Sequence, residues 1–232
     1  MGLFRIKHNQ FEENFDMTHF DTEHQNEWET TDRINESSWN SRYEYESLLI
    51  ESVMSLYPHI KTVLEIGSGP GVLSQKILSK FPELDYDLVD KPFAKKYFDD
   101  NNFKGRFFVK DLSSSFDRSG LRDKYDLVIA NDFLEHVYNP HIILKTIYEL
   151  TNENSVFFVS NPNWRMAHQY VYRGLFDFDN FVYMFYTHKF KLDGFYGSIL
   201  KTPYYPKIDS ETLLPDENLQ DWNHYMIYTH RI

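Results

Sequence analysis

Nine residues, Val63-Leu64-Glu65-Ile66-Gly67-Ser68-Gly69-Pro70-Gly71, carry the densest chemistry in the chain. Val63 to Ile66 reads as a buried strand. Three glycines then let the backbone turn sharply and come close to a ligand. Residues 72–80 follow with helical spacing. Strand, glycine turn and helix open a nucleotide-type site, in which free N–H groups of the turn and the helix N-terminus face the ligand. Acidic and amide side chains recur where later apolar runs stop, at Asp90, Asp111 and Asn131. Open parallel sheets bind ligands at the carboxyl ends of their strands, so these three positions can meet one. His136 adds an imidazole, which titrates near neutral pH and can take a proton.

The spacing separates two ligand classes. A dinucleotide fingerprint needs a third glycine where the helix packs on the strand, and that position is Val72. The pattern is instead E-x-G-x-G-x-G. With Glu65 two residues before the first glycine, it resembles the first motif of the class I S-adenosylmethionine (SAM) dependent methyltransferases. Residues 41–163 carry the resemblance. It implies an α/β fold: a Rossmann-like, doubly wound, mostly parallel seven-stranded sheet with helices on both faces. It also implies S-adenosyl-L-methionine as cofactor.

That resemblance assigns roles by position. Glu65, Gly67, Ser68, Gly69 and Gly71 would hold the cofactor at the first turn, with Glu65 orienting the turn or meeting the methionine ammonium through water. Asp90 would accept hydrogen bonds from both ribose hydroxyls. Asp111 would face the adenine amino group, with Leu112 as the apolar contact and Lys91 and Pro92 on the other ring face. Asn131 would sit at the methionine end. The stretch YDLVIANDFLEHVYNP, residues 125–140, also resembles the fourth-strand region of small-molecule methyltransferases. In that family its Leu-Glu-His-Val segment lies beside the reactive methyl, so His136 is the candidate base or acceptor-positioning group.

One other resemblance competes. Asp132-x-x-Glu135-His136, with His188 downstream, is similar to the metal-binding pattern of small-RNA 3′-end ribose methyltransferases, but it has Asp132 where that family has a longer carboxylate. No metal is therefore expected. A dinucleotide oxidoreductase and a non-catalytic SAM-binding protein are further alternatives.

The elements that must position these residues alternate. Ser41 and Glu44 form a capping-box pattern, which predicts a helix over 41–56 with Tyr45, Leu48, Leu49, Ser52, Val53 and Leu56 on its inner face. Strands are predicted at 85–90, 105–110, 125–130 and 155–160, with helices opening at Pro92 and, capped by Asn139, at Pro140. The last two strands are predicted at 195–204 and 225–231. Residues 1–40 read as an acidic N-terminal arm or lid, with Trp28 or Trp39 able to cover a substrate. Residues 41–232 form the methyltransferase domain. An aromatic insertion at about 161–190 faces the acceptor, with Asn163, Trp164, Tyr170, Tyr172, Phe176, Phe178 and two cations, Arg165 and Arg173.

Composition narrows the partners. Hydrophobic residues at 41% and aromatics at 18% suit a folded globule. A net charge of −11 repels nucleic acid, whose affinity rests on phosphate contacts. The absence of cysteine excludes disulfides, zinc–thiolate sites and thiol catalysis. No apolar run is long enough to span a membrane, and the cytoplasm is the simplest address. A small-molecule acceptor, methylated at oxygen or nitrogen, is the expectation.

Overall fold

Runs such as Leu127-Val128-Ile129-Ala130 are apolar at every position, so a strand built from them must be covered on both faces. The computed structural model, which describes residues 4–7, 10–13, 37–112, 115–162, 168–170, 178–198 and 224–231, builds its main sheet from such runs. In chain order it contains β1 (Phe4–Lys7), β2 (Gln10–Glu13), α1 (Ser37–Leu56), β3 (Thr62–Ile66), α2 (Val72–Lys80), β4 (Asp85–Asp90), α3 (Pro92–Asp100) and β5 (Arg106–Val109). Then come β6 (Leu127–Asn131), a 3-10 turn (Leu134–His136), α4 (Pro140–Leu150), β7 (Val156–Pro162), β8 (His168–Tyr170), α5 (Phe178–Thr187), β9 (Phe190–Ser198) and β10 (His224–Arg231).

Seven strands form one sheet in the order β5-β4-β3-β6-β7-β10-β9. The first five named are parallel, and β10 runs antiparallel between β7 and β9. The order reverses between β3 and β6, where an open sheet forms its ligand crevice. Alternate strand residues feed two cores. Val63, Leu127, Ile129 and Phe158 pack with Ile50 and Val53 of α1 and Ile77 of α2. Leu64, Val128, Ala130 and Phe157 pack with Ile143 and Ile147 of α4 and Phe181 and Phe185 of α5. The Rossmann-like, mostly parallel sheet inferred from the sequence is therefore the one found.

The departures have local causes. The first helix begins at Ser37, so Ser41 lies inside it and is no N-cap. Glu44 reaches across to Lys76 of α2 instead (3.1 Å). The helix also buries a face rotated from the expected one: Glu46, Leu49, Ile50, Val53 and Met54 are inside, whereas Leu48 is 46% and Leu56 63% exposed. The spacing i, i+3, i+4, i+7, i+8 from Glu46 is the one that meets the sheet, and a charged residue heads it. β6 starts and ends later than expected, with Asn131 inside it, and β7 runs on to Pro162. β9 begins at Phe190, five residues early, and positions 199–204 of the expected strand lie outside the described residues. Asn139 does cap α4, its side chain accepting from the His141 N–H (3.2 Å).

A second, three-stranded antiparallel sheet has the order β2-β1-β8. Its middle strand lies in the N-terminal forty residues, and β8 runs alongside the 3-10 turn.

Candidate functional site

The site lies at the carboxyl ends of β3, β4 and β6. The glycine turn leaves β3 with Gly67 in the left-handed region at φ 67. A side chain there would be strained by the backbone and would also meet a ring: an added Cβ would lie 2.4 Å from Phe133 Cδ2. Phe133 therefore lies against the turn. The expected free amides are not what the turn presents. Gly67 and Ser68 donate to the Val89 carbonyl (2.9 and 3.3 Å), Gly71 donates to that of Ser68 (3.1 Å), and Gly69 donates to Asp90 Oδ2 (2.6 Å). The amides are spent on tying the turn to the end of β4. What the glycines give is a rigid bend without side chains, and the close approach falls to their Cα faces.

Asp90 ends β4 as expected. Its other oxygen accepts from the Lys91 N–H (2.6 Å), so the carboxylate is fixed against the turn from both sides. Lys91 is the N-cap position of α3, with Pro92 in the first turn. Lys110 donates its backbone N–H to the Asp90 carbonyl (2.9 Å), which brings the start of the next loop to the same rim. There Asp111 is exposed, while Leu112 is buried in the core with Val89 and Leu134.

A buried charged cluster closes the other half. Arg42 of α1 donates from Nε to Glu46 Oε1 (2.8 Å) and from Nη2 to Asp132 Oδ2 (2.5 Å). Glu46 Oε2 accepts from Asn131 Nδ2 (3.2 Å). Asp132 Oδ1 accepts from Ser160 Oγ of β7 (2.7 Å), and Ser160 Oγ in turn accepts from the Asp132 N–H (3.0 Å). These bonds hold Asp132 in the left-handed region, at φ 43, between strand and 3-10 turn. Burial works to lower the Arg42 pKa, but Asp132 and Glu46 outweigh it and hold the guanidinium firmly charged. Glu65, also buried, accepts from Tyr86 Oη (2.8 Å). Burial, helped by Glu46 and Asp90, pushes its carboxyl up to about 8 against the pull of that hydrogen bond. Glu135 is fully buried, and burial with Asp132 beside it raises its carboxyl well above the usual range. His136 Nε2 lies 3.6 Å from Glu135 Oε1, an electrostatic contact too long for a hydrogen bond.

Glu65, Asp90, Asn131 and His136 thus stand along one rim. The fourth member of the metal pattern does not join them. His188 faces His141 of α4, Nε2 to Nδ1 at 2.8 Å, and Asp132 is committed to Arg42. Among the described residues no three His, Asp or Glu side chains converge as a metal site requires. The acceptor-side residues Asn163, Trp164, Arg165, Tyr172, Arg173 and Phe176, and Trp28 of the arm, lie outside the described residues. Three site residues escaped the sequence reading. Arg42 and Glu46 were hidden inside a helix read as starting at Ser41; their i, i+4 spacing ahead of Leu49, Ile50 and Val53 was the available signal. Phe133 had none.

Fold and site together define a Rossmann-like protein with an acid-lined crevice at its switch point. A family profile described as "Methyltransferase domain" matches residues 14–191, and the chain belongs to that family, as the nine-residue string suggested. Curated relatives include a ribosomal RNA small subunit methyltransferase C of Buchnera aphidicola subsp. Baizongia pistaciae (strain Bp), 35% identical over 44% of this chain and 34% of the relative. Another is a ubiquinone biosynthesis O-methyltransferase of Pasteurella multocida (strain Pm70), 25% identical over 53% of this chain and 60% of the relative. The chain thus spans between about a third and three fifths of these two relatives. Among solved structures, the plantazolicin methyltransferase BpumL in complex with SAH and a desmethylPZN analog has a TM-score of 0.62 at 14% identity, covering 93% of this chain and 91% of that one. An S-adenosylmethionine-dependent methyltransferase from Clostridium acetobutylicum ATCC 824 has 0.59 at 10%, covering 93% and 99%. Among the described residues no helix is long and apolar enough to cross a membrane.

Proposed function

We propose that this chain is a SAM-dependent methyltransferase that methylates an oxygen or nitrogen of a small molecule in the cytoplasm. One observation carries the reading: three buried or nearly buried carboxyl groups, Glu46, Asp132 and Glu135, stand around Arg42, and a fourth, Glu65, lies buried beside Glu46 and Asp90 at the glycine turn. SAM presents the complementary charges there, an ammonium and a sulfonium with a single carboxylate. The residues present fit it. Arg42 suits the carboxylate, Glu65 and Asn131 the ammonium, and Asp90 the ribose diol. Lys91, Asp111 and the edge of Leu112 would flank the adenine, while Gly67, Ser68, Gly69 and Gly71 would give the close approach.

When bound, SAM supplies a methyl group attached to a positively charged sulfur. The protein's part is alignment, exclusion of water and proton handling. That methyl would be given up to the acceptor's lone pair with the electron pair left on sulfur, and the walls of the crevice would hold the acceptor in line for it. The acceptor's proton passes to the His136 imidazole. A nucleic-acid acceptor fits an acidic chain poorly, and a metal-assisted ribose mechanism lacks His188 at the rim.

Calorimetry with SAM and its demethylated product tests the proposal. Micromolar binding is expected, weakened by about 10- to 100-fold in Asp90→Ala, the loss of hydrogen bonds to a charged group. No binding to the wild-type protein would overturn it. A melting-temperature shift with NAD(P) but not SAM would favour the oxidoreductase, and SAM binding without transfer to any acceptor a non-catalytic protein.

A further inference from the structure

A lysine beside the edge strand of a sheet ordinarily extends into water. Lys110, the residue after β5, does not: its side chain is only 8% exposed. Burying an ammonium is costly unless its protons are met. Here all three have acceptors. Nζ donates to Asp117 Oδ2 (3.0 Å), to the Ser119 carbonyl (2.9 Å) and to Ser119 Oγ (3.2 Å). The acceptors are themselves tied together: Ser119 donates from its N–H to Asp117 Oδ1 (2.9 Å) and from Oγ to Asp117 Oδ2 (2.5 Å). Those two bonds, and then Lys110, hold the Asp117 carboxyl well below the usual carboxylate range, so the pair stays charged at neutral pH.

The main chain of the same residue reaches the rim. Lys110 donates its N–H to the Asp90 carbonyl (2.9 Å), and Asp111 and Leu112 come next in the chain. Leu112 is anchored in the core with Val89 and Leu134. Phe116 and Leu121 pack against that core with Phe108. The return to β6 is pinned by Tyr125, which donates to Asp87 Oδ2 of β4 (2.5 Å) and accepts from the Arg122 N–H (3.0 Å). Lys110 thus couples Asp111, its neighbour in the chain, to a loop that the core already fixes.

We propose that Lys110 is the positioning residue for the donor's purine: by bracing residues 117 and 119 it holds Asp111 where a carboxylate can accept from an exocyclic amino group. This rests on the donor reading. Lys110 touches no ligand and does no chemistry. A carboxylate accepts from the amino group of adenine but repels the oxo oxygen of hypoxanthine. A braced Asp111 sorts the two bases, and a loose one does not. The brace adds little to overall stability, because Asp117 is 66% exposed and exposed ion pairs contribute little.

Calorimetry with S-adenosylhomocysteine and S-inosylhomocysteine reads the sorting. Wild-type protein is expected to bind the adenine compound about tenfold more tightly. Lys110→Met, of similar length but without donors, should cut that preference to about twofold with the melting temperature little changed. Asp117→Ala with Ser119→Ala removes two of the three acceptors from exposed positions and should act in the same direction, which gives the reading even if Lys110→Met does not fold. A preference that survives these substitutions, or equal weakening of both compounds, overturns the inference. So does a wild-type protein that binds the two alike. Failure of wild-type protein to bind either compound would overturn instead the donor reading.

Discussion

Glu65 offers the most direct test of how the donor is held. Burial, with Glu46 and Asp90 nearby, pushes its carboxyl up to about 8. At pH 7 about nine in ten free molecules therefore carry that proton. A cation brought against a carboxylate lowers its pKa by about 1–3 units. SAM binding at pH 7 should then expel about 0.4 to 0.9 of a proton, and affinity should rise by about 5- to 50-fold from pH 6 to pH 8. Calorimetry in two buffers of different ionisation enthalpy reads the first quantity, and a pH series the second. Glu65→Gln keeps an acceptor for Tyr86 but has no proton to lose, so both effects should vanish. Heat that is the same in both buffers, with affinity flat across the series, would refute the placement of the ammonium beside Glu65. Proton release that persists in Glu65→Gln would move the effect to another group, with Glu135 the next candidate.

The same carboxyl sets a stability trend. Its folded pKa lies above its unfolded one, so its stabilising contribution is complete below about pH 4.5 and is lost as pH rises through about 8. Melting of Glu65→Gln should therefore gain on wild type across that window, by up to about 5 kcal/mol. His188 has the opposite sign: burial, then His141, lower its pKa, so its contribution holds above about 6.5 and fades as pH falls. His188→Gln should flatten that acid limb in melts between pH 5 and 7. Gly67→Ala should cost about 2–4 kcal/mol in denaturant unfolding, through left-handed backbone and the Phe133 ring, and Phe133→Ala should restore only the steric share. Asp87 is fully buried and takes two bonds from Arg106 (2.7 and 2.6 Å) and one from Tyr125 (2.5 Å). Asp87→Ala should lose about 2 kcal/mol, below the figure for a wholly buried pair because Arg106 is half exposed.

Where one physical demand decided a segment, that segment could be read from the residues. Leu127-Val128-Ile129-Ala130 has one solution, a strand covered on both faces, and Asp90 follows from where its strand must stop. The bend at Gly67 follows from glycine's access to positive φ. Harder to read was anything set by two segments far apart in sequence. The inward face of α1 was there in the spacing of Leu49, Ile50, Val53 and Met54, but that a charged Glu46 heads it depends on Asn131, 85 residues away. The amides of the glycine turn were assigned to a ligand because a lone turn leaves them unpaired; Val89 and Asp90 claim them once β4 lies alongside. The small sheet could not be foreseen either, since β1 and β2 are more than 150 residues from β8 in the chain.

Because the strand order reverses between β3 and β6, the two halves of the crevice come from different stretches of chain. One continuous block, residues 62–112, supplies the glycine bend, Asp90 and Asp111. The opposite bank is assembled from α1, the end of β6 and β7. Selection can therefore rewrite the second bank piece by piece while the first is inherited as a unit. Grafting this chain's residues 62–112 into a distant homologue should carry over its donor preference and leave the recipient's choice of acceptor untouched.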